Sequence, residues 1–160
     1  MAWSNSKIFR PLLADFFTRP TGFAVDLDGD SFKTALFNDT ITPNNDVTAA
    51  LSAYNAATSQ WLTAAEVHEA GQWAQGGVAL TGVTLNSGTA DVVFWDANDP
   101  ASGTAADLAN VYGTLTYDDT VTTPVADQGV SYNYLGGANS VVNGQFTVVW
   151  SALGIWRITL

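Results

Sequence analysis

The stretch Val111–Tyr134, "VYGTLTYDDTVTTPVADQGVSYNY", decides the fold. Its first seven residues alternate, with Val111, Gly113, Leu115 and Tyr117 on one side, which is the two-residue period of a strand. "DDTVTTP" then supplies turn formers. "GVSYNY" resumes the alternation through Val130, Tyr132 and Tyr134. Strand, turn and strand in this order predict an antiparallel pair.

The same grammar extends outward. Toward the N-terminus, "DANDPASGTAAD" reads as a loop and "ADVVFWDA" as a short apolar strand. "GGVALTGVTL" reads as a glycine turn followed by a strand, and Ser31–Asn38 alternates as another. "NDTITPNNDVT" is a turn-rich loop, and the Ala-rich "AALSAYNAATSQWL" is expected to hold a short helix. Toward the C-terminus, "GGAN" is expected to turn the chain. "GQFTVVW" and "GIWRITL" flank "SALG" and read as a closing hairpin, with Trp156, Ile158 and Leu160 on one face and Arg157 on the other. Near the start, Ile8, Phe9, Leu12, Leu13, Phe16 and Phe17 recur on one face of a helix. Pro11 fits a helix that begins at about Arg10 and would bend one that begins at Ser6. The pattern predicts a mainly β, single-domain antiparallel β-sandwich or barrel with a short N-terminal helix. Residues 1–22 form an N-terminal arm or helix, and 23–160 the β-rich domain.

Composition narrows the function. With 47% hydrophobic and 12% charged residues, the 160-residue chain can bury a core and is not a disordered one. It lacks cysteine, which excludes disulfides, thiolate nucleophiles and zinc–sulfur sites. Fifteen acidic residues against five basic give a charge of −10, unfavourable for nucleic acid and for anionic membranes. No apolar run has the length of a membrane span, and "MAWSNSKIFRPLLADFFTRP" is not a secretory signal.

Four groups of residues bear on chemistry. Asp26, Asp28 and Asp30 crowd "VDLDGDSFKTALF". A calcium loop of the EF-hand type needs Gly at its sixth position and Glu at its twelfth. Ser31 and Phe37 stand there, so a turn is the expectation. Asp96, Asn98, Asp99 and Asp107 make a second oxygen-rich loop, also read as solvated loop rather than a metal site. Glu66 and Glu69 flank the only histidine, His68. They lie on one short segment and cannot face each other across a glycoside. "TAAE", Thr63–Glu66, fits a capping box. No catalytic residue, metal ligand or cofactor is assigned. Last, Trp3, Trp61, Trp73 and Trp95 are harder to place on a strand face than Trp150 and Trp156. Those four are the interface candidates, while all six tryptophans with Phe and Tyr could form a carbohydrate-stacking platform, although strand-borne aromatics are more often core or subunit interface.

The N-terminal segment also concentrates charge, since Lys7, Arg10 and Arg19 are three of the five cations. An amphipathic helix covering the sheet and a docking arm are equal readings. The docking reading assigns Trp3, Lys7, Ile8, Phe9, Arg10, Phe16, Phe17 and Arg19 to partner binding.

The blocks "SKIFRPLLADFF", "DLDGDSFKTALF", "AGQWAQGGVAL", "VYGTLTYDDT" and "GQFTVVWSALGIWRITL" together resemble a widespread family of small phage virion proteins. Asp26–Leu36, Gly71–Leu80, Tyr117–Thr120 and Trp150–Leu160 carry the resemblance, which runs along nearly the whole chain. It implies a structural part of a virus particle, assembled in the host cytoplasm, and brings no catalytic residues. The expected role is a capsid decoration (cement) protein on the outside of the head. It would be a homo-oligomer, most simply a trimer, bound to the major capsid protein or other virion subunits. A tail or neck component is the alternative within the structural class, and a host-glycan-binding module is the alternative outside it.

Overall fold

The computed structural model describes residues 3–89 and 91–160. The chain is mainly β, a single antiparallel sandwich with one short N-terminal helix. The elements are β1 (Lys7–Ile8), α1 (Arg10–Thr18), β2 (Phe32–Phe37), α2 (Ala49–Ser52) and β3 (Glu66–Val67). There follow β4 (Val78–Ala79), β5 (Thr84–Thr89), β6 (Val92–Asp96), β7 (Ala106–Asp118), β8 (Gly129–Gly144) and β9 (Trp156–Thr159).

The larger sheet runs β1-β8-β7-β2-β3, with β4 sharing the outer edge of β2. Its spine is the predicted pair, β7 with β8, in a register that joins Leu115 to Tyr132 and Thr116 to Ser131. The smaller sheet is β5-β6-β9. Trp95 of β6 packs edge-on to Phe32 of β2 at 4.9 Å and ties the two layers together. Both faces of β2 are buried. Phe32, Ala35 and Phe37 join the main core, while Leu36 joins a second cluster with Trp73, Val111, Phe146 and Val148. A strand covered on both sides must satisfy its polar side chains internally, and the Thr34 and Thr116 hydroxyls bond each other at 3.0 Å.

The first residues are woven into this core. Trp3, Phe9, Phe37, Trp61 and Tyr132 make edge-to-face contacts, with ring centroids 5.1–6.1 Å apart where Trp61 meets Trp3, Phe9 and Phe37. Trp3 lies directly over Gly113, where a Cβ would strike its ring. This explains the glycine in an otherwise regular strand. The helix starts at Arg10 with Pro11 in its first turn, as expected from a missing N–H that no helical bond requires.

Three local expectations are corrected. "GGAN" does not turn the chain, because β8 continues through it to Gly144. "GQFTVVW" does not form a hairpin with "GIWRITL". Residues 146–148 bond the 100–102 loop instead, Ser102 N–H to Phe146 O at 2.8 Å and Val148 N–H to Pro100 O at 3.0 Å. That leaves β9 free to pair with β6. Finally, "TAAE" is a 3-10 turn without a side-chain cap. Glu66 is drawn into the structure, where its carboxylate accepts from Tyr54 Oη and the Gly76 N–H, each at 2.7 Å.

Candidate interaction surface

The acidic residues have a structural use. Asp30 accepts the Asp26 N–H at 2.6 Å, and Asp26 accepts the Asp28 N–H at 3.1 Å, so the Asp-rich stretch is a turn closed by its own carboxylates. Asp99 accepts the Trp150 N–H at 2.8 Å and Asp107 the Asn143 N–H at 2.7 Å. Glu69 accepts the Asp107 N–H at 2.6 Å. Each carboxylate replaces a backbone carbonyl that a turn, a loop or the shifted register at the end of the β7–β8 pair does not supply. Among the described residues, no three His, Asp or Glu side chains are grouped to hold a metal ion. His68 is exposed, and its ring meets the Gln75 side chain at 3.2 Å.

Burial raises the pKa of Glu66 above the ordinary carboxylate range, against the Tyr54 and Gly76 hydrogen bonds and the charge of His68, which lower it. Tyr54 and Tyr117 stack at 4.8 Å, and burial raises both phenols well above their usual range. The Tyr117 hydroxyl donates to Gly76 O at 2.6 Å. This cluster is internally satisfied and closes the loop around Gly76 onto the larger sheet.

The expected interface tryptophans are corrected. Trp3, Trp61, Trp73 and Trp95 are all essentially inaccessible, so they form no glycan-stacking platform and no interface. Trp73 and Trp95 donate their indole N–H groups to Thr34 O and Leu27 O, at 3.2 and 2.8 Å. Large aromatic rings carry more core area per residue than any other side chain, and in this small sandwich they fill the interior. Trp3 and Phe9 likewise drop out of the predicted partner-binding set, because both are buried in the core.

The rest of that set is brought together on one face. Lys7, Arg10, Phe17 and Arg19 are exposed, while Ile8 and Phe16 are half-buried. Phe17 is 83% exposed, unusual for a phenyl ring. Two adjacent grooves of about 440 and 450 Å³ flank α1 and share Leu13, Trp156 and Ile158. Phe16, Phe17, Phe23 and Arg19 line the first against Leu85 and Val93 of the smaller sheet. Lys7, Arg10 and Arg157 line the second. Four of the five cations therefore border one apolar surface of an acidic chain. The fifth, Lys33, is paired with Asp119 at 2.9 Å elsewhere. Arg10 pairs with Asp46 at 2.6 Å in an exposed contact. The side chains of Lys7, Arg19 and Arg157 make no ion pair among the described residues.

Trp156, Arg157 and Ile158 were not assigned to this face from sequence. Their contribution depends on β9 pairing with β6, a contact between residues far apart in the chain. The clustering of cations was the available signal, and Arg157 was its one distant member. Comparison of the chain with protein-family models, with curated proteins and with solved structures finds no match.

Proposed function

We propose that the chain is a structural subunit of a bacteriophage particle, a decoration protein on the outside of the head. It docks on the major capsid protein or a neighbouring virion subunit through the surface built by β1, α1 and β9. The observation that carries this reading is the concentration of cations beside exposed apolar surface, although Asp26 and Asp46 also lie there. Four of the five cations and the exposed Phe17 ring gather on one face of a chain whose net charge is −10. Aromatic and arginine side chains contribute most of the energy in typical protein interfaces. An acidic remainder keeps the free subunit soluble and steers the basic face toward its partner. A closed homo-oligomer, most simply a trimer, would present several such faces at one docking point and strengthen a weak single contact.

The test is localisation in purified particles by subunit-resolved imaging. Density for the chain on the capsid lattice is the expected result. Density along the tail or at the neck would move the protein to that role. Particles that lack the chain altogether would overturn the reading.

A further inference from the structure

The groove of about 450 Å³ lies between β1 and β9, and β9 presents the longer open edge. Both strands end their sheets. At β1, two residues long, the edge is partly covered by Asn45, whose Nδ2 donates to the Ile8 carbonyl at 3.4 Å and whose carbonyl accepts the Arg10 N–H at 3.0 Å. At β9 it is not. The Leu160 N–H bonds Asp91 O at 2.8 Å, so in the antiparallel pattern Ile158 and Trp156 also turn their main-chain groups toward β6. Arg157 and Thr159 then turn theirs outward, and among the described residues neither nitrogen bonds the backbone of another element. The floor is apolar, from Leu13, Ile155, Trp156 and Ile158. Lys7, Arg10 and Arg157 stand on the rim, Arg10 paired with Asp46, and among the described residues no carboxylate lines the groove itself.

Resting on the docking role proposed above, we infer that this groove receives an extended acidic segment of the neighbouring virion subunit. The segment adds as a fourth strand to the open edge of β9. A strand alternates its side chains between two faces, which fixes the sequence it must carry. Residues beside Trp156 and Ile158 are apolar, and those beside Arg157 are Asp or Glu. Main-chain bonds to Arg157 and Thr159 supply the affinity, and the cations select the charge.

The probe is a blocked heptapeptide alternating Val and Glu, compared with the same peptide carrying Gln for Glu and with free glucuronate. Amide NMR of the full chain is the readout. At millimolar Val–Glu peptide, the Arg157 and Thr159 N–H groups are expected to shift and to gain protection from hydrogen exchange. Binding should weaken about tenfold with the Gln peptide, the ratio produced by roughly 1.4 kcal/mol. Arg157→Glu should abolish it. Thr159→Pro should abolish it too, because it removes an outward N–H on an edge strand and leaves every charge in place. Equal binding of the Gln peptide, or glucuronate shifts matching those of the peptide, would overturn the inference. So would shifts without exchange protection. The docking role fails separately. Particles lacking the wild-type chain overturn that role while peptide binding stands, whereas full occupancy by both Arg157→Glu and Thr159→Pro chains overturns the strand addition alone.

Discussion

Replacing Asp118 with Asn should make the protein more stable at neutral pH and remove part of its pH dependence. Asp118 ends β7 and is fully buried. Its Oδ1 accepts the Thr120 and Val121 N–H groups at 2.7 and 3.0 Å. Its Oδ2 has no donor among the described residues except the Asp30 carboxyl that faces it. Burial pushes the pKa up to about 6, the two N–H groups oppose this, and Asp30 adds to the rise. The folded value lies above the reference of 3.8. The folded protein therefore holds a proton that the unfolded chain has already lost. The stabilisation is full below the unfolded value and is lost as pH rises through about 6. About two pKa units at roughly 1.4 kcal/mol each set an upper bound near 3 kcal/mol at pH 7.5. Sharing of the proton with Asp30 reduces this to roughly 1–2 kcal/mol. Asn keeps the Oδ1 acceptor and offers Asp30 an N–H, so it reproduces the protonated state at every pH. Thermal unfolding at pH 4.5 and 7.5 is the assay. A chain of this size moves by about 2–4 °C per kcal/mol, so Asp118→Asn should melt about 2–8 °C above wild type at pH 7.5, with a clearly smaller gap at pH 4.5. A variant with the wild-type pH slope, or one destabilised equally at both values, would refute the reasoning.

Glu66→Ala should cost roughly 2–4 kcal/mol in urea unfolding, because the Tyr54 hydroxyl and the Gly76 N–H lose their acceptor inside the fold; a neutral result would mean water replaces the carboxylate without loss. Removal of residues 156–160 should abolish cooperative melting, since it deletes β9 and the Trp156 ring that stacks on Trp95 at 6.2 Å; a soluble truncation with a sharp transition would show that β5 and β6 stand without it. Added calcium should leave the melting temperature unchanged, because Asp26 and Asp30 already hold backbone N–H groups of their own turn; a rise that chelator reverses would restore the metal reading. On particles, Lys7→Glu with Arg157→Glu should lower occupancy in competition with wild type, while circular dichroism stays native because both side chains are exposed; undiminished occupancy would remove this face from the contact.

What the sequence determined is what local chemistry encodes. Alternation in Val111–Tyr117 and Val130–Tyr134 and the turn formers between them specified the central pair. Pro11 marked the start of α1. The failed EF-hand spacing was enough to make Asp26–Asp30 a turn. The tertiary structure decided which distant segments meet. Residues 146–148 and β9 carry similar β signals, and only the competition for edges sends one to the 100–102 loop and the other to β6. Nothing local distinguishes a tryptophan that fills a core from one that lines a surface. Trp95 and Trp156 are cross-strand partners, yet one is sealed and the other borders both grooves. Glu66 reads as a cap in the sequence and becomes a buried acceptor because Tyr54 and Gly76 converge on it from either side in the chain. The interaction surface has the same origin. Lys7, Arg10 and Arg19 could be seen as a cluster, but Arg157 joins them only when β9 closes the smaller sheet. Strand pairing is set by the energy of the whole sheet rather than by the residues of either strand.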